Sequence, residues 1–109
     1  MTVVVEADAV PTLPRDTEVV LLRIAQEGLA NVRKHAAAEN AVVELSVDGE
    51  GASLVVRDDG RGFDATAPRV GFGLDGMRER LALVGGALDI ESGASGTILT
   101  ATLPPAVTR

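Results

Sequence analysis

Apolar residues follow two different periods along this chain. Val3-Val4-Val5 is a short unbroken run closed by Glu6, and Pro11 and Pro14 follow, residues that cannot donate to a strand ladder. From Asp16 the period becomes helical: Leu21, Leu22, Ala25, Leu29, Val32 and Ala36 recur at helical spacing. Asp16 is an N-cap type of residue and Glu18 falls in the first turn, so a helix is predicted from Asp16 to about Ala38. Over Ala41 to Val47, Val43, Leu45 and Val47 alternate with Glu44 and Ser46, the pattern of a half-buried strand. Asp48-Gly49-Glu50-Gly51 marks a hairpin turn, and Leu54-Val55-Val56 is the returning strand. Glycine and proline punctuate Asp58 to Gly73, which predicts a loop. A second helix is predicted over Leu74 to Val84, stopped by Gly85-Gly86. A second hairpin, Ala87–Glu91 and Thr97–Leu103, turns through Ser92 to Gly96. The order implies an α/β fold, a two-layer sandwich with one mixed, mostly antiparallel sheet and the helices on one face. With 109 residues the expectation is a single domain over 1–109, its core at about 13–104 and its tail frayed beyond Pro104.

Composition narrows the functions. Hydrophobic residues make up 46% and charged residues 24%, which fits a globular chain rather than a disordered one. Ten basic residues stand against sixteen acidic, a net charge of −6, and Phe63 and Phe72 supply all the aromatic rings. That balance argues against nucleic acid, which draws on basic patches and stacking rings, and against direct contact with an anionic membrane. Without cysteine there is no disulfide framework or thiolate metal site, and a reducing compartment is compatible. The single histidine, His35, cannot build a multi-histidine zinc site. No apolar run is long enough to span a bilayer, and Met1 to Asp8 has no signal-peptide character, so the expectation is a cytoplasmic domain.

Four segments carry candidate chemistry. On the first helix Glu27, Asn31 and His35 stand four apart and share a stripe with Arg23 and Lys34. Such a stripe is either the solvated face of an amphipathic helix or a set that binds Mg²⁺ and phosphate oxygens together. Asp58-Asp59-Gly60-Arg61-Gly62 directly follows a strand, either as a plain turn or as a fixed carboxylate beside glycines that let a flat ligand approach. An ionised aspartate only accepts hydrogen bonds, which suits the exocyclic amine of adenine better than the carbonyl of guanine. An EF-hand fails here, because the oxygen ligands do not continue at alternate positions. Gly71-Phe72-Gly73-Leu74-Asp75-Gly76 matches G-x-G-x-x-G, with Glu91 further on, yet Asp64 to Val70 cannot be the strand that a dinucleotide fold requires. What survives is a glycine-rich phosphate cradle before a helix, with Phe63 to Gly73 as a lid. Gly93-Ala94-Ser95-Gly96-Thr97 is a hairpin turn or the closing edge of a nucleotide pocket.

Taken together, four blocks resemble one family in order and spacing: Gln26-Glu27-Gly28-Leu29-Ala30-Asn31 with Lys34-His35-Ala36, Asp58-Asp59-Gly60-Arg61-Gly62-Phe63, Gly71-Phe72-Gly73-Leu74, and Gly96-Thr97. The chain looks like the ATP-binding catalytic domain of a two-component sensor histidine kinase of the GHKL superfamily, with the Bergerat fold, in the dialect of the nitrate-sensor and desaturase-sensor type. The likeness runs from about Leu13 to Pro104. It implies Asn31 as the Mg²⁺ ligand and Glu27 as the acidic residue that orients water, metal or the reacting group. Lys34 and His35 would approach the phosphates. Asp58 would accept from the adenine amine, Gly60 and Gly62 would allow the close approach, and Thr97 would help Asp58 hold the adenine edge. Gly71 and Gly73, with Leu74 beside them in the cofactor site, would form the second glycine box under the phosphates. Gly28 departs from the family pattern, which has alanine or another small residue there. The implied cofactors are ATP and Mg²⁺. The implied partners are a helical dimerisation domain carrying the phosphoacceptor histidine, which this chain lacks, and through it a response regulator. The isolated domain is expected to be a monomer and its parent kinase a homodimer. A serine kinase of the anti-sigma-factor type and a non-catalytic nucleotide-binding module share the pocket and stand as alternatives. ATPases of the topoisomerase, mismatch-repair or chaperone type carry longer lids and a following domain.

Overall fold

In a computed structural model, residues 2–7, 15–33, 38–48, 51–60, 74–93 and 95–104 are described. Strand β1 (Thr2–Ala7) leads to helix α1 (Arg15–Asn31), then to the antiparallel pair β2 (Asn40–Asp48) and β3 (Gly51–Asp58). Helix α2 (Leu74–Leu83) precedes a second antiparallel pair, β4 (Ala87–Gly93) and β5 (Gly96–Leu103). The sheet order is β1-β2-β3-β5-β4, with β5 inserted antiparallel between β3 and β4. β1 runs parallel to β2, which α1 makes possible as the crossover between them. The sheet is therefore mixed and mostly antiparallel, as the patterning implies.

Alternation decides which face is covered. Ala52, Leu54 and Val56 of β3 are buried, and the register sets them beside Leu103, Ala101 and Leu99 of β5, also buried. Helix α1 packs its Leu21 and Ile24 on this face over β3 and β5, while α2 lies against β4 and touches α1. Leu74, Met77 and Leu81 of α2, at helical spacing, complete the core, with Ile24, Met77 and Leu81 fully buried. Each such side chain contributes about 1.5–3 kcal/mol relative to exposure. The opposite sheet face carries the Glu44–Arg57 ion pair.

Two helix ends matter for the site. The helical spacing predicts α1 through to about Ala38, but the α-helix ends at Asn31, Val32 and Arg33 form a wider π-type turn, and Ala38 is outside the helix. Alanine-rich residues sustain a helical pattern on propensity alone. Tertiary structure overrides it, because the chain must be in extended form by Asn40 to pair with both Thr2 and β3. Helix α2 stops where the glycines predict. The Gly86 N–H donates to the Leu81 carbonyl at 2.7 Å and the Gly85 N–H to the Ala82 carbonyl at 3.1 Å, with Gly85 at φ 76°. A side chain on Gly86 would put its Cβ 2.6 Å from the Thr102 carbonyl oxygen, so the second glycine lets the helix end lie against β5.

Candidate functional site

The inward rows of β3 and β5 do not end in apolar residues. One alternation beyond Val56 comes Asp58, one before Leu99 comes Thr97, and the register sets these two residues opposite each other. Among the described residues, Thr97 and Asn31, the last residue of α1, are the buried polar side chains, 6% and 7% exposed. Asn31, Asp58 and Thr97 share a narrow cleft with Gly28, Val32, Val56 and Leu99, with a cavity volume of about 20 Å³. The core of the domain thus opens at one end into a pocket whose walls are apolar and whose rim is polar.

Each polar group is held. The Gly60 N–H donates to Asp58 Oδ1 at 2.8 Å, while Oδ2 takes no hydrogen bond from the described residues. Thr97 Oγ1 lies 2.8 Å from Ser92 Oγ, its cross-strand partner on β4, so the two hydroxyls share a hydrogen bond. Two glycines permit the close packing around them. At Gly28 a Cβ would stand 3.1 Å from Val56 Cγ2, which accounts for glycine where alanine would be crowded. At Gly96, with φ 133°, it would fall 2.0 Å from the Asp58 carbonyl oxygen.

Asp59 behaves differently from its neighbour. Its carboxyl is held below the ordinary aspartate range by the Asn40 backbone N–H first, then by the Asn40 side-chain amide, with the Glu39 N–H adding a smaller contribution.

Of the residues singled out in the sequence, Asn31, Asp58 and Thr97 are brought together, and Gly60 supports Asp58 through its N–H. Glu27 lies one turn before Asn31, half-buried, and is not among the residues lining this cleft. The Leu74 side chain is 4% exposed and belongs to the core. Lys34, His35, Gly62, Gly71, Gly73 and the lid expected over Phe63 to Gly73 lie outside the described residues. Sequence reasoning missed the apolar walls, Val32, Val56 and Leu99, although the alternation leading to Asp58 and Thr97 carries that signal. It also missed Ser92 and Asp59 as supporting groups.

The donor set fits a purine nucleotide. Apolar walls take a flat ring, and Asp58 with Thr97 offers acceptors to an exocyclic amine. The Asn31 amide oxygen is a hard ligand of the kind Mg²⁺ takes. Among the described residues no group of three or more His, Cys, Asp or Glu that could hold a metal ion is present.

Residues 16–107 match the family model described as histidine kinase-, DNA gyrase B-, and HSP90-like ATPase. The chain belongs to this ATPase family. Within it, the sensor histidine kinase MctS of Rhizobium johnstonii is 40% identical over 102 residues, 90% of this chain and 22% of that protein. The histidine-protein kinase/phosphatase UhpB of Salmonella typhimurium is 41% identical over 92 residues, 84% of this chain and 18% of that protein. The chain thus spans about a fifth of the length of these relatives. Among solved structures, the histidine kinase domain of the blue-light activated histidine kinase from Erythrobacter litoralis EL346 superposes with a TM-score of 0.76 at 29% identity. The match covers 95% of this chain and 54% of that one. The two-layer architecture is therefore that of an ATPase-family domain from a histidine kinase.

Proposed function

We propose that this chain is the ATP-binding catalytic domain of a two-component sensor histidine kinase. The observation that carries the reading is Asp58 opposite Thr97 at the open end of the apolar rows, in one cleft with Asn31. Asp58 accepts a hydrogen bond from the adenine amine, and Thr97, held by Ser92, assists it. Val32, Val56 and Leu99 cover the ring. Asn31 offers its amide oxygen to Mg²⁺, and Glu27, one turn earlier, orients water, the metal or the reacting group. Lys34 and His35 approach the phosphates, with Gly60, Gly62, Gly71, Gly73 and Leu74 providing close backbone around the nucleotide. When bound, Mg·ATP supplies the phosphoryl group; the protein contributes positioning and charge neutralisation, the main demands of phosphoryl transfer.

The acceptor is a histidine on a separate helical dimerisation domain of a homodimeric parent kinase, which then serves a response regulator. The domain works in the cytoplasm, as the proposed reading implies; separately, among the described residues no helix is long and apolar enough to cross a membrane. The relatives, named as histidine kinases, favour this reading over an anti-sigma serine kinase or a non-catalytic module.

Titration with ATP, ADP and GTP tests it. Asp58→Ala should weaken ATP binding by about 1.5–3 kcal/mol, roughly ten- to a hundredfold, and erase the preference over GTP. Asn31→Ala should abolish phosphotransfer to a kinase helical hairpin while metal-free ADP binding survives. Unchanged ATP affinity in Asp58→Ala would remove the adenine assignment.

A further inference from the structure

Asp59 directly follows Asp58 and is not among the residues that line the cleft. Successive side chains leave a strand on opposite sides, and here the two carboxylates part. Asp58 lines the cleft, whereas Asp59, exposed, reaches the residues that open β2. Its Oδ1 accepts from the Glu39 N–H at 3.0 Å and from the Asn40 N–H at 2.9 Å. Its Oδ2 accepts from Asn40 Nδ2 at 2.8 Å. The Asp59 N–H donates to the Asn40 carbonyl at 3.2 Å, one step beyond the Ala41–Asp58 pair of the ladder.

These bonds tie the start of β2 to the end of β3, beside the Asp58 wall of the cleft. Residues 38–40 belong to the chain that leaves α1 after Asn31, and Asp59 sits between Asp58 and the Gly60 N–H that holds the Asp58 carboxylate. Neither Asp59 nor Asn40 takes part in the core, whose inward rows reach this end at Val56 and Ala41. We infer that Asp59 is a positioning residue: its carboxylate clamps the start of β2 to the end of β3 and thereby fixes the Asp58–Gly60 turn whose N–H holds the Asp58 carboxylate. The inference rests on the nucleotide reading of the cleft.

Asp59→Asn keeps one acceptor oxygen for the two backbone N–H groups but sets an amide donor against Asn40 Nδ2. Adding Asn40→Asp restores the side-chain bond with its polarity reversed. The four forms (wild type, each single variant and the double) are compared in three measurements: hydrogen exchange of the Gly60 amide without nucleotide, affinity for ATP and GTP, and thermal unfolding. For Asp59→Asn the expected result is faster Gly60 exchange, ATP binding weaker by about three- to tenfold, and a smaller ATP-over-GTP preference. The thermal midpoint should move by less than about 4 °C, and the double variant should recover both affinity and exchange. Unchanged Gly60 exchange and ATP affinity in Asp59→Asn would overturn the inference. So would an affinity loss that follows the loss of thermal stability and is not recovered in the double variant. If the wild type itself binds no ATP, the nucleotide reading fails, and Gly60 exchange alone still decides whether the clamp exists.

Discussion

The three hydrogen bonds into the Asp59 carboxylate, led by that from the Asn40 backbone, favour its charged form and give the protein a defined acid response. Because the folded value is depressed, the contribution to stability is fully present above the ordinary aspartate pKa of about 3.9 and is lost as pH falls through the lower folded value. Thermal unfolding of wild type and Asp59→Asn, compared from about pH 6 down to about pH 3, should show their difference shrinking at the acid end. A gap of constant size would mean that the Asp59 carboxyl is not shifted on folding. Gly28 offers a second check. Its missing Cβ would stand 3.1 Å from Val56 Cγ2, so Gly28→Val overpacks that contact and should cost about 1–3 kcal/mol in chemical denaturation while narrowing the cleft. The residue types at the site are legible in the sequence, and the family resemblance singles out Asp58; that Asp59, just past β3, turns to Glu39 and Asn40 is not legible there. Gly28 reads as a mere departure from a pattern until Val56 is seen beneath it.

At the scale of elements, the sheet and both hairpins follow from period-two alternation, and α2 from Leu74, Met77 and Leu81 together with its glycine stop. The end of α1 does not follow. Val32 and Ala36 continue the apolar spacing, and nothing in a single helix's pattern records that the chain must be paired with β3 by Asn40. The α2 stop is the more local device, and it can be perturbed alone. Gly85 sits in the left-handed region at φ 76°, where a Cβ costs roughly 1–2 kcal/mol. Gly85→Ala should lower stability by about that amount in urea unfolding and leave ATP affinity unchanged. Gly85 packs near Pro104, beyond the end of β5, whereas the cleft lies at its beginning with Thr97. A parallel fall in ATP affinity would show that the two ends of the sheet are coupled.

For the molecule as a whole, the described helices and sheet share a single core, and that core is unfinished at one end. The rows Ala52-Leu54-Val56 and Leu103-Ala101-Leu99 run on into Asp58 and Thr97 with a cavity above them. Such a layout makes a bound purine a removable part of the protein interior, so that binding and folding become one thermodynamic account. A ligand that binds the folded form alone stabilises it with the logarithm of one plus its free concentration over Kd, about 2.7 kcal/mol at a hundred times Kd. For a domain of this size, ATP at that level should raise the thermal midpoint by on the order of 10 °C, with GTP giving a much smaller rise at equal concentration. Equal rises with the two nucleotides would locate the stabilising contacts on the phosphates rather than the base. With the expected difference, the domain is most resistant to unfolding and proteolysis when adenine nucleotide is plentiful, and its lifetime in the cell becomes a function of nucleotide supply as well as of its own sequence.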